Sequence, residues 1–200
     1  MMPIEYLCEH VHIGAESRRL EYKGPMSWMN NLTKAKITRS ILAMSNIKDG
    51  GVIIVGMQQL PDKKFEPAGI SIEDASTFNH DEIADYLKEY ADPYVEFTVA
   101  PIECGGKRFI CIQIKEFDES PVICRKDGVD LQRGRIYYRP RTKNESAPVS
   151  SYAEMREILD MAADKAVRKY WSRLPCAGLV LPLPSQEAKA RFAEQRKDLP

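Results

Sequence analysis

The sequence predicts an α+β domain: a mixed, mainly antiparallel sheet of about five or six strands, flanked by two or three helices. Three observations lead there. Val52-Ile53-Ile54-Val55 is a continuous β-branched run directly after Asp49-Gly50-Gly51, the pattern of a central strand buried on both faces. Residues 95–102 and 107–114 flank Cys104-Gly105-Gly106 and read as a hairpin on a glycine turn. Other segments open on helix-capping residues: Asn30 or Asn31, Asn79 and Ser151.

Taken in order, residues 1–14 show no clear pattern and are read as a lead-in. Leu20-Glu21-Tyr22-Lys23 is a short strand stopped by Gly24-Pro25. A helix runs from Asn30 or Asn31 to about Ile47, with Leu32, Ala35, Ile37, Ile41, Leu42 and Met44 as its apolar stripe. Gly50-Gly51 ends that unit. Residues 58–69, with Pro61 and Pro67, read as a loop. Asn79-His80-Asp81-Glu82 is a capping box that opens a helix with Ile83 and Leu87 inward, and Asp92-Pro93 closes it. Residues 121–124 and 136–139 add two short strands. Ser151 and Glu154 form a second capping box, opening a helix whose inward face holds Met155, Ile158, Leu159, Ala162 and Ala166. Residues 174–184 read as an extended linker or docking strand, and residues 186–197 as a polar helical tail. The domain organisation is a lead-in (1–13), one domain (14–170) and a proline-containing tail (171–200).

A chain of 200 residues allows one domain of roughly 150 residues with appendages. At that size about 70% of the unfolded surface is buried, so no disulfide or metal staple is required. The five cysteines are odd in number and show no CxxC spacing, which disfavours zinc ribbons and fingers. Cys111 and Cys124 lie in apolar runs and read as small core residues, and a reducing compartment fits best. His10 and His12 lack partners at zinc-ligand spacing. No apolar leader is visible near the N-terminus, and the longest apolar run is too short to span a bilayer. The expectation is a soluble, cytoplasmic protein without membrane contact. P-loop, nucleophile-elbow and dinucleotide fingerprints are absent.

The net charge is zero, which weighs against strong non-specific DNA binding. The charge is unevenly spread, however. Residues 125–143 carry seven cations (Arg125, Lys126, Arg133, Arg135, Arg139, Arg141, Lys143) against Asp127 and Asp130. A neutral protein with such a stretch can present a basic face.

Four local patterns fall in order: Glu16-Ser17-Arg18-Arg19-Leu20-Glu21-Tyr22-Lys23; Ala43-Met44-Ser45-Asn46 followed by Gly50-Gly51; the strand at residues 52–55 with Gly56; and Gly134-Arg135-Ile136-Tyr137-Tyr138-Arg139-Pro140-Arg141-Thr142. Together, over residues 14–163, they resemble the Schlafen-type AlbA domain family. The resemblance implies an α+β domain that handles RNA or DNA. In some Schlafen proteins the matching acids and lysine form an endoribonuclease site. It also implies two lobes around a groove, which a chain with a single lobe and no internal repeat would rebuild as a homodimer, with residues 177–184 as a candidate arm.

The residues support a chemical reading of their own. Glu16 and Glu21 can face one pocket, and paired carboxylates hold Mg²⁺ or Mn²⁺. Lys23 shares a strand face with Glu21. Such a set suits metal-assisted phosphodiester hydrolysis, with Glu16, Glu21 and Lys23 catalytic. The third acid of the family's nuclease pattern is missing: Met57-Gln58-Gln59 follows Gly56. Exposed N–H groups at Gly50-Gly51 can bind phosphate. Arg139 and Arg141 alternate on one strand face beside Lys143, and one of Tyr137 and Tyr138 is placed to stack on a base. The expected nucleic-acid-binding set is Lys23, Asn46, Gly50, Gly51, Arg135, Arg139, Arg141 and Lys143. Backbone binding of RNA or DNA is the leading reading. A divalent-metal endonuclease and a non-catalytic protein-interaction module are the alternatives.

Overall fold

In a computed structural model, residues 4–174 are described, with side chains from Tyr6 onward. The chain divides into two units, residues 1–162 and 163–200. The lead-in, where the sequence shows no clear pattern, contains a helix, α1 (Ile4–Ile13). Leu7 and Val11 stand one turn apart on it and are both buried, the i, i+4 pairing of an amphipathic helix. Strand β1 (Leu20–Lys23) forms as expected. Helix α2 (Asn31–Ser45) opens on Asn30, whose side chain accepts from the Leu32 N–H. Strand β2 (Gly51–Val55) is buried along its whole length.

Residues 58–69 do not form a plain loop. Strands β3 (Met57–Gln59) and β4 (Phe65–Pro67) pair there as a small antiparallel ladder. Pro67 ends the short ladder, which is how a strand tolerates proline. A short helix α3 (Ile72–Ser76) and helix α4 (His80–Tyr90) follow, and Asn79 caps α4 through the Asp81 and Glu82 N–H groups. Strand β5 (Ala91–Asp92) leads to the long hairpin β6 (Phe97–Cys104) and β7 (Lys107–Ile114). Its two-residue turn has positive φ at both Gly105 (58°) and Gly106 (73°), which only glycine supplies without strain. Strands β8 (Ile123–Cys124) and β9 (Tyr137–Tyr138) are two-residue pieces, shorter than the sequence pattern implies, and β10 (Ala147–Pro148) is a two-residue strand that the sequence reading does not include. Helix α5 (Tyr152–Arg173) opens on the expected box: Ser151 Oγ accepts from the Glu154 N–H at 3.2 Å, and Glu154 accepts from the Ser151 N–H at 3.2 Å.

The main sheet has the order β1-β2-β7-β6. The β1–β2 pair is parallel and the other pairs antiparallel, so α2 is the crossover connection. Alternation along β2 divides the core. Ile53 and Val55 face the larger cluster with Ile37, Ile41, Leu87, Ile112 and Ile158. Val52 and Ile54 face a smaller cluster with Tyr22, Phe109 and Cys111, covered by Leu7 and Val11 of α1. Leu32 and Leu159, expected inward, are instead 55% exposed.

Cysteine usage departs from expectation. Cys8 of α1 and Cys104 of β6 are joined as a disulfide, 96 residues apart in sequence. Cys111 and Cys124 are free and buried. Among the described residues no helix is long and apolar enough to cross a membrane. Within residues 163–174, Val167, Tyr170 and Trp171 are exposed. The expected docking strand and polar tail, residues 175–200, lie outside the described residues.

Candidate functional site

Parallel pairing with β2 turns Glu21 and Lys23 toward α2, on the face where Ile53 and Val55 enter the core. The expected shared face is present, but Glu21 is only 6% exposed. Its Oε1 accepts from Lys23 Nζ and from Ser40 Oγ of α2 at 2.9 Å. Its Oε2 accepts from Arg139 at 2.5 Å and from Ser146 Oγ at 3.5 Å. Arg139 is fully buried and also donates to the carbonyls of Arg18 (2.9 Å) and Ser17 (3.0 Å). Arg139 therefore does not share an exposed strand face with Arg141. The strand ends at Tyr138, ahead of Pro140, and the guanidinium turns into the core to balance a buried carboxylate.

Glu16 lies just outside this cluster and accepts from the Tyr22 N–H at 2.9 Å. Burial pushes its carboxyl above the usual range and nearby Glu21 adds to that, while the Tyr22 N–H, Arg139 and Lys23 pull the other way. Both Glu21 oxygens already accept two donors each, so a Mg²⁺ or Mn²⁺ ion has no free Glu21 oxygen to take. Among the described residues no three His, Cys, Asp or Glu side chains converge on a metal-sized site. The Glu16/Glu21/Lys23 set does not fit a divalent ion as it stands.

The turn after α2 is likewise occupied. Asn46 is fully buried and bonds the carbonyls of Leu42, Val122 and Tyr137, while its Oδ1 accepts from the Val122 N–H at 2.8 Å. Gly50 has φ +65°, and a Cβ there would stand 2.0 Å from the Ile114 carbonyl oxygen. At Gly51 a Cβ would stand 2.6 Å from Met44 Sδ. These three residues are placed by packing, not by an exposed phosphate cradle. Tyr137 and Tyr138 are each only 2% exposed, so neither offers a stacking face.

A second cluster was not foreseen in the sequence. Glu157 of α5 accepts from Arg18 at 2.9 Å, from Tyr138 at 2.6 Å and from Arg141 at 3.2 Å. Burial alone would push the Glu157 carboxyl up; the bonds from Tyr138, Arg141 and Arg18 outweigh it and hold it at about 2. The only available signal was negative: Glu157 is one more polar residue on a helix, with nothing local to mark it.

The remaining cations of residues 125–143 sort by partner. Lys126 pairs with Glu89, and Arg141 with Glu157. Arg125, Arg133, Arg135 and Lys143 are exposed and, among the described residues, form no ion pair. Three of them sit on one pinned loop. The Cys124 N–H bonds the Arg135 carbonyl at 2.8 Å and the Gly134 N–H returns to the Cys124 carbonyl at 2.7 Å, closing the loop ends. Tyr137 Oη ties its middle, accepting from the Gln132 N–H at 2.9 Å and donating to the Asp130 carbonyl at 3.2 Å. Asp127 is engaged inside the loop, accepting from the Arg133 N–H at 2.9 Å. Arg39 of α2 stands near the same tyrosine, its Nε without a hydrogen-bond partner.

The profile of the family described as Schlafen, AlbA_2 matches residues 16–148, from the Glu16 motif through the Tyr-Arg segment. The chain belongs to that family. No curated protein matches it. Among solved structures, the DIP2311 protein from Corynebacterium diphtheriae is similar over 77% of this chain, at 16% identity and a TM-score of 0.50. The chain spans only 28% of that protein's length. The N-terminal domain of a RecG-related protein from Nitrosomonas europaea is similar over 76% of this chain and 97% of its own, at 17% identity and a TM-score of 0.47. At 16% identity the likeness to the first of these concerns the fold alone.

In this Schlafen AlbA_2 domain the Glu157 cluster has an acid-stability consequence. A carboxyl held at about 2, against an ordinary 4.5, stabilises the fold at pH values above 4.5. That contribution fades as pH falls from 4.5 toward 2. Urea midpoints measured across that window are expected to fall less steeply in Glu157→Gln than in the parent. Equal slopes would remove Glu157 from the acid response.

Proposed function

We propose that this domain binds the sugar-phosphate backbone of RNA or DNA through the pinned loop after β8 and the adjoining turn, using Arg125, Arg133, Arg135 and Lys143. The observation that carries the reading is that these four exposed cations form no ion pair among the described residues, whereas the other cations of the same stretch are paired. Unpaired arginine forks suit phosphate oxygens. A loop with fixed ends loses little further freedom when it docks. Family membership supports the same reading. Backbone contacts read shape rather than sequence.

The contact set therefore differs from the one the sequence implies. Arg135 and Lys143 stay, Arg125 and Arg133 join them, and Arg139 is replaced. Arg133→Ala with Arg135→Ala and Lys143→Ala is expected to weaken binding by at least about tenfold and to flatten the plot of log affinity against log salt by roughly two to three units on duplex DNA. Fluorescence anisotropy with labelled duplex and single-stranded RNA and DNA, from low to physiological salt, measures both. An unchanged affinity and slope would reject the surface.

A further inference from the structure

We infer that the Cys8–Cys104 bond is a thiol-responsive clasp that holds α1 over the outer face of the sheet, so that reduction lets α1 lift and uncovers the apolar cluster beneath it. The cover is weakly held otherwise. At ten residues α1 is shorter than helices that persist alone in water, so it depends on what it packs against. Among its described side chains, only Leu7 and Val11 are fully buried, while Tyr6 and Ile13 are 56% and 57% exposed. One further tie is a hydrogen bond from Tyr22 Oη to the His10 carbonyl. The disulfide joins α1 to β6 across 96 residues of sequence and lies outside the family-matched span at its Cys8 end. Closing so long a loop is where a crosslink restricts the detached state most.

The cluster under α1 contains Tyr22, Val52, Ile54, Phe109 and Cys111, all buried. A lifted α1 leaves this apolar face to water or to another apolar surface. The movement also has a path to the Glu16 motif. Gly14, with φ +65° and its carbonyl bonded to the Phe65 N–H at 3.0 Å, is the hinge between α1 and Glu16, which holds the Tyr22 N–H. The chemistry balances as thiol–disulfide exchange. The Cys8 and Cys104 thiols give up two protons and two electrons to a small-molecule disulfide, which becomes two thiols, and excess small thiol drives the reverse.

Cys111 is a built-in reporter, because it lies in the covered cluster and is 1% exposed, whereas Cys124 is buried in the other cluster. The full chain is equilibrated with oxidised or reduced glutathione, pulsed with a maleimide and mapped by peptide mass. Oxidised protein is expected to yield a Cys8–Cys104 crosslinked peptide. On reduction, Cys111 labelling is expected to accelerate by on the order of tenfold while Cys124 labelling stays constant, the signature of local opening. The Cys8→Ser/Cys104→Ser variant is expected to label at Cys111 at the reduced rate in both buffers. The inference is overturned by any of three results: no crosslinked peptide after oxidation, a Cys111 rate that ignores redox state, or Cys124 rising in step with Cys111.

Discussion

Arg139→Met is expected to lower the unfolding free energy by about 3–5 kcal/mol, a larger effect than removal of any exposed arginine of the same stretch. Arg139 is fully buried, and its guanidinium contacts Glu21 Oε2, Ser146 Oγ and the carbonyls of Ser17 and Arg18. Methionine fills most of the volume but returns none of these bonds. Glu21 then keeps Lys23 and Ser40 on one oxygen, and the other oxygen keeps only Ser146. A buried carboxylate stripped of its main counter-charge is what makes half-removed ion pairs costly. Urea or thermal unfolding measures the loss, at roughly 2–4 °C of melting temperature per kcal/mol for a domain of this size. Glu21→Leu combined with Arg139→Met is expected to recover part of it, since two apolar residues leave no orphaned charge. A loss under about 1 kcal/mol, the worth of an exposed pair, would contradict the buried geometry.

Much of the scaffold was legible because its signals are local. Asn30, Asn79 and Ser151 cap the helices they were expected to cap. Gly105-Gly106 makes the hairpin turn, and the 52–55 run lies inside the sheet. Elements whose evidence is thin were missed. The stripe of Ile4, Leu7, Cys8 and Val11 that marks α1 is short and interrupted by charged and histidine residues, and Pro61 and Pro67 masked the short β3–β4 ladder. Leu32 and Leu159 show a different limit. Periodicity places a residue on the apolar stripe of a helix, but it does not say where the partner surface ends.

The site was less legible because its contacts are remote in sequence. Glu21 meets Arg139 across 118 residues, and Arg18 meets Glu157 across 139. A charged residue is exposed by default, so a sequence reading sends Arg139 to the surface with its neighbours. The seven-to-two charge excess of residues 125–143 was visible. Which of those cations are consumed inside the fold was not.

Asn46→Ala is expected to cost a comparable 3–5 kcal/mol or so, and it separates a packing role from a ligand-binding one. Asn46 sits at the C-terminal end of α2, and its amide joins three segments at once: Leu42 in α2, Val122 before β8 and Tyr137 in β9. Alanine leaves the Val122 N–H without its acceptor at a position that is itself fully buried, and leaves the Val122 and Tyr137 carbonyls without the amide donor. Each buried polar group left unsatisfied costs about 1–3 kcal/mol. Because Val122 and Tyr137 flank the pinned cationic loop, loosening Asn46 is also expected to slacken that loop before the sheet opens, seen as faster amide exchange over residues 125–135 than over β2 and β7. Binding measured well below the melting temperature then decides between the two roles. A variant that is markedly less stable, yet binds nucleic acid with the parent's salt slope, fixes Asn46 as a strut. A variant of parental stability that has lost affinity would instead place the Asn46 amide against the ligand, overturning its role as a strut.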